Sequence, residues 1–183
     1  MVSPPVLSVE RLVRQVRRAT QVDIAFGGAL GTGAGSFAID QLSGARTGAL
    51  QNLLIRAGLG LGGKAMLLGH PVSVADYRRA DGITHQYDRA VAAEGMRSVF
   101  AIPVAVAGGT RAVIYGALRG PLPVGGRTLD AAVRAVGAAT RELEIAQEVE
   151  RRVAQHLAGR RGYPENDQAG RLAQRLRDAQ AEL

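Results

Sequence analysis

Two β-rich runs, Ser98–Val106 and Arg111–Leu118, are joined by only Ala107-Gly108-Gly109-Thr110. A glycine pair supplies the positive φ that a tight hairpin turn needs, so the two runs read as antiparallel neighbours. A parallel pair would need a crossover of about a dozen residues or more, which this link cannot supply. Pro103 has no N–H to give a ladder, so its strand is bulged or lies at an edge there. At 183 residues the chain is too short for a TIM barrel and fits one ordinary domain.

Val9, Leu12, Val13 and Val16 recur at helical spacing opposite Arg11, Arg14, Arg17 and Arg18, which predicts an amphipathic helix over 8–20 with Ser8 as N-cap. Val22–Phe26, Ser36–Leu42 and Ala49–Ile55 read as strands, the first two separated by the glycine-rich Gly27–Gly35. Lys64–Leu68 reads as a short helix and Val72–Ala75 as a short strand. Ile83–Glu94 reads as a helix capped by Thr84 and stopped by Gly95. A long helix follows from Thr128 to about Leu157, with Leu129, Val133, Val136, Leu143, Ala146, Val149 and Val153 along its apolar stripe.

Such a helix would be about 45 Å long, more than one sheet face needs, so Arg141–Leu157 is expected to pack on another chain. Gly159–Asn166 reads as a break, and Leu172, Leu176, Ala179 and Leu183 mark a last amphipathic helix. The expected class is α+β, an antiparallel sheet flanked by helices, with a domain over 8–140 and a helical extension over 141–183.

The composition excludes some chemistry. With no cysteine there is no disulfide, thiolate metal site or cysteine nucleophile. The net charge of +7 raises the question of nucleic acid, but Lys64 is the single lysine among 23 basic residues. The charge is also spread along the chain, and no basic run alternates with aromatics as a single-strand binder requires. Direct nucleic-acid binding is therefore not expected. The longest apolar stretch, Val99–Ala107, is far short of a membrane span of about 20 residues, and no secretory signal is visible, so a cytoplasmic protein is expected.

Gly58-Leu59-Gly60-Leu61-Gly62-Gly63-Lys64-Ala65 fits G-x-G-x-x-G, and fits the P-loop pattern except at Ala65, which has no hydroxyl for Mg²⁺. A glycine-permitted turn feeding a helix packed closely on the sheet explains the motif more simply. Asp81, His85 and Asp88 could share a helix face, but neither His70 nor His156 has a ligand-spaced partner, and no metal site is expected. Ser36 sits in Gly33-Ala34-Gly35-Ser36-Phe37, which is not a nucleophile elbow, and no catalytic residue is assigned.

Taken together, three stretches resemble the GAF family. The first is Gly58-x-Gly60-Leu61-Gly62-Gly63-Lys64-Ala65 followed by His70-Pro71-Val72 and Asp76-Tyr77. The second runs from Ile83-Thr84-His85-x-Tyr87-Asp88 to Glu94-Gly95-Met96-Arg97-Ser98-Val99. The third is Ala101-Ile102-Pro103-Val104 with Tyr115-Gly116-Ala117-Leu118. The combination is similar to GAF domains of actinobacterial regulators that continue into a helix-turn-helix.

The resemblance covers roughly residues 8–150. It implies a six-stranded antiparallel sheet with helices on both faces and a small-molecule pocket on one. It further implies a homodimer through the Val9–Val16 and Arg141–Leu157 helices; an output protein or an effector domain is expected to read the long Thr128–Leu157 helix. The inferred pocket would be lined by Met66, Tyr77, His85, Tyr87, Met96, Phe100 and Tyr115, and His70 or His85 would be the candidate ligand for haem. The Asn-Lys-Phe-Asp-Glu set of cyclic-nucleotide-binding members is not recognisable, and the missing cysteine excludes bilin attachment and thiol-based sulfoxide reduction. A non-catalytic small-molecule sensor is expected, with a ligand-free interaction module as the alternative. The ligand and any cofactor are left unidentified.

Overall fold

The computed structural model describes residues 8–31, 35–106 and 109–161. They divide into two compact units, one ending at Glu144 and one beginning, among the described residues, at Ile145.

The first helix, α1 (Val9–Thr20), starts where Ser8 accepts a hydrogen bond from the Arg11 amide and stops at Gln21, which turns left-handed at φ +56°. Five antiparallel strands form the main sheet in the order β3-β1-β7-β6-β5. They are β1 (Ile24–Ala29), β3 (Gln41–Ser43), β5 (Val72–Val74), β6 (Ser98–Val106) and β7 (Gly109–Leu118). β6 and β7 are the expected hairpin, paired from Ser98↔Leu118 to Val106↔Gly109. β5 reaches only as far as Ala101, so at Pro103 β6 has a neighbour on one side, and a register shift follows at Val104/Ala105.

Several expectations are corrected. Ser36–Leu42 is two strands, because Ile39 exchanges hydrogen bonds with Leu53 and Asn52 while the Asp40 amide turns to the Gly27 carbonyl. β2 (Ser36–Ala38) therefore pairs with β4 (Leu54–Arg56) in a separate ribbon, and the main sheet has five strands where six were implied. Most of Ala49–Ile55 is a turn, with Asn52 at φ +61° and Leu50 buried; a short apolar run does not by itself specify a strand.

α2 spans Gly60–Leu68, longer than Lys64–Leu68. α3 covers only Asp88–Ala93, and Thr84 does not cap it. α4 runs Gly126–Arg161, through Gly159 where a break was expected, and the expected helix over 172–183 lies outside the described residues.

Strand alternation gives the sheet two apolar faces. Ile24, Phe26, Val99, Ala101, Val113, Tyr115 and Ala117 pack with α2 and α3. Ala25, Phe100, Ile102, Val104, Ala112 and Ile114 pack with Val9, Leu12, Val13 and Val16 of α1 and Ala132, Ala135, Val136 and Leu143 of α4. The apolar residues of α1 are thus used within the chain's own core. In the second unit Ile145, Val149, Val153 and Leu157 are all exposed.

Candidate functional site

Gly58–Gly63 turns the chain out of β4 and directly into α2, which lies against the sheet. The glycine at 62 is required by close approach, since a Cβ there would overlap both the ring and the hydroxyl of Tyr115. α2 is tied to the segment leading into α3 by two bonds. The Gly60 amide donates to Thr84 Oγ1 at 2.7 Å, and Lys64 Nζ donates to the Gly82 carbonyl at 2.7 Å. The motif that resembles a phosphate cradle thus has its first helical amide and its lysine already engaged, as a strap across the chamber described next.

Between this roof and the sheet lies a small cavity of about 30 Å³, bounded by Phe26, Leu61, Tyr77, Tyr87, Met96 and Tyr115 together with aliphatic side chains such as Ile39 and Val91. Phe26 and Tyr115 are cross-strand partners, and their rings stack with centroids 4.6 Å apart. The Tyr115 hydroxyl is completely buried and has no hydrogen-bond partner among the described residues. Burial raises its pKa well above the usual phenol value, with Tyr77 and Tyr87 adding to the effect. Tyr77 is pushed up to about 12, first by burial and then by Asp88 and Tyr87. The Tyr87 hydroxyl accepts from the Arg56 amide at 3.2 Å. With Tyr77 and Tyr115 held neutral and no acid or base in its lining, the chamber is uncharged.

Tyr77, Tyr87, Met96 and Tyr115 are brought together here, whereas the other expected pocket residues lie elsewhere. Phe100 is on the opposite sheet face, across Gly116 in the α1–α4 core, because its position alternates with Val99 and Ala101. Met66 is half-buried against the outside of the cluster on the α2 and α3 side of the sheet and does not line the cavity. His85 is on the surface, where Nδ1 meets Asp88 Oδ1 at 2.9 Å, Nε2 meets the Ala80 carbonyl at 3.0 Å, and the ring stands edge-on to Tyr77. Its pKa is raised by the Asp88 hydrogen bond first and the Ala80 carbonyl second. His70 Nδ1 lies 3.0 Å from the Pro71 carbonyl. Neither histidine reaches the chamber, so the donor set does not suit haem. Among the described residues no group of three or more His, Cys, Asp or Glu could hold a metal ion.

Sequence reasoning missed Phe26, Ile39, Leu61 and Val91 as lining residues. It also missed Glu94, which is buried and accepts from the Arg46 amide at 2.9 Å, the Thr47 amide at 2.8 Å, Thr47 Oγ1 at 2.6 Å and Arg119 Nη2 at 3.0 Å. Burial alone would raise its pKa, but these donors outweigh burial and hold it below the usual carboxylate range. Arg119 also donates to the carbonyls of Glu94 and Gly44, so this pair fixes the end of α3 to β7 and to the loop after β3.

No family model matches this chain. The HTH-type transcriptional activator RamA of Corynebacterium glutamicum is 47% identical over 77 residues, which cover 42% of this chain and 27% of RamA. The matched region thus spans about a quarter of that relative's length. Among solved structures, the GAF domain of a phosphoenolpyruvate-protein phosphotransferase from Coxiella burnetii superposes with a TM-score of 0.62 at 15% identity, covering 78% of this chain and 83% of that one. Free methionine-R-sulfoxide reductase from Neisseria meningitidis, solved with its substrate, matches with a TM-score of 0.56 at 19% identity, covering 79% and 78%. The antiparallel sheet, its two helical layers and these likenesses give the chain the GAF-domain fold.

Proposed function

We propose that this chain is a non-catalytic regulatory module whose chamber under α2 and α3 takes a small neutral molecule. The observation that carries the reading is the Tyr115 hydroxyl. A buried hydroxyl without a partner costs about 1–3 kcal/mol, and a ligand atom that accepts its proton removes that cost. At about 30 Å³ the chamber is far smaller than ligand pockets, which run to roughly 300–1,000 Å³. Binding therefore requires the strap of Gly82, Thr84 and Tyr87 to move outward, and that movement is the signal.

The relative RamA, a transcriptional activator, supports a regulatory context. The GAF fold also carries catalysis in the sulfoxide reductase, but the thiol that such chemistry uses is missing from this chain, which has no cysteine. The exposed Ile145, Val149, Val153 and Leu157, each four residues from the last, suit Arg141–Leu157 as the surface where two copies meet and an output protein reads the state. α1 offers that interface only its arginine face. The ligand must favour one arrangement of these helices over another, or it transmits nothing.

A second reading, a ligand-free interaction module, is favoured by the chamber's small volume. Thermal unfolding in small-molecule fractions of a cell extract separates the two. One fraction should raise the melting temperature of the wild type and leave Tyr115→Phe unmoved. If no fraction shifts either protein, the interaction module is correct.

A further inference from the structure

On the other side of the sheet's edge, an open groove of about 690 Å³ runs beside the carboxyl end of α1. Arg14, Arg17, Arg18, Arg46 and Arg119 line it, against a single carboxylate, Asp23. Along the sequence these charges are scattered, and the fold gathers them.

Arg14 pairs with Glu10, and Arg119 with the buried Glu94. Arg17, Arg18 and Arg46 have no ion-pair partner among the described residues. Arg17 and Arg119 both converge on Gly44. The Arg119 guanidinium donates to the Gly44 carbonyl at 3.0 Å, and the Arg17 guanidinium lies 2.9 Å from where a Gly44 side chain would begin. Gly44 has φ +87°, and its bare backbone lets the Arg17 guanidinium approach. Ser43 Oγ, at 3.4 Å, helps to aim Arg17.

The helix dipole accounts for Arg17 and Arg18 in the last turn of α1, but not for Arg46, which comes from the loop after β3. Like charges held together in a concave site are repulsive unless an anion joins them, and the concavity strengthens the field. Planar guanidiniums pair with phosphate through two parallel hydrogen bonds. The volume is that of a small-molecule site.

We propose that this groove binds a small anion bearing two or more phosphates, at a site separate from the neutral chamber. Titration calorimetry at low salt with inorganic tripolyphosphate provides the test. Binding should be measurable, should weaken with added salt, and should fall at least about tenfold in Arg18→Gln/Arg46→Gln, two exposed positions whose exchange leaves the melting temperature unchanged. Arg78→Gln/Arg79→Gln, outside the groove, should bind like the wild type. No binding, or binding indifferent to Arg18 and Arg46, overturns the proposal. Arginine-dependent binding of a random-sequence DNA duplex without binding of tripolyphosphate also overturns it, in favour of a nucleic-acid backbone.

Discussion

The Tyr115 hydroxyl occupies the space that a side chain at Gly62 would need, so the roof helix and the central strand of the sheet meet with no atom between them. Two opposing effects then act on Gly62→Ala. Helix propensity favours alanine by about 1 kcal/mol, and overpacking against a ring costs about 1–3 kcal/mol. Because the added carbon meets the ring as well as the hydroxyl, overpacking should prevail, with a net loss of about 1–2 kcal/mol in urea unfolding. Tyr115→Phe should be neutral or stabilising by up to about 1 kcal/mol. In the Phe background Gly62→Ala should cost about 1 kcal/mol less. Additive effects would mean that the two residues do not touch.

Glu94 gives a pH dependence whose sign follows from its depressed folded pKa. Its contribution is complete above the unfolded value of 4.5 and is lost as pH falls through the folded value. Glu94→Gln leaves Arg119 without its carboxylate partner and should cost about 3 kcal/mol at neutral pH. The difference from wild type should shrink below about pH 4.5. A difference that stays constant down to pH 3 (about the acid limit of such an experiment) would exclude Glu94 as the titrating group.

His85 behaves oppositely, since its folded pKa is raised. Its pairing with Asp88 is favourable below the unfolded pKa of 6.5 and fades as pH rises through the folded value. An NMR titration of the imidazole should have its midpoint above 6.5 in the wild type and closer to it in Asp88→Asn. An identical midpoint in both proteins would contradict the assignment.

The strap can be loosened without touching the chamber. Thr84→Val removes the acceptor of the Gly60 amide, which is worth about 1 kcal/mol. Hydrogen exchange at Gly60 should then accelerate by about fivefold while the β6–β7 amides keep their protection. Equal exchange in both proteins would remove Thr84 from the strap.

The sequence was most legible where local chemistry decides structure. Ser8, the short link between the two β-rich runs and the 3.6-residue period of α1 act within a few residues, and α1 and the β6–β7 pair follow from them. It was least legible between Gly35 and Leu53, where Ile39, Leu50 and Asn52 are placed by hydrogen bonds to one another and the apolar pattern fits a strand equally well. In the candidate site, the tyrosines stood out as large amphipathic side chains. Phe100 was misassigned although its alternation with Val99 and Ala101 already put it on the other face. Phe26 could have been found from the same alternation once β1 was paired with β7. Glu94 and Arg119 are 25 residues apart and gave no local signal.

On the proposed reading, the space above Tyr115 opens for a neutral ligand. Native mass spectrometry of the purified chain, compared with its denatured mass, tests this most directly after incubation with the extract fraction that raises its melting temperature. The predicted result is one small molecule per chain, released on denaturation and carried by a much smaller share of Tyr115→Phe. An unmodified native mass, or equal loading of both proteins, would contradict the account.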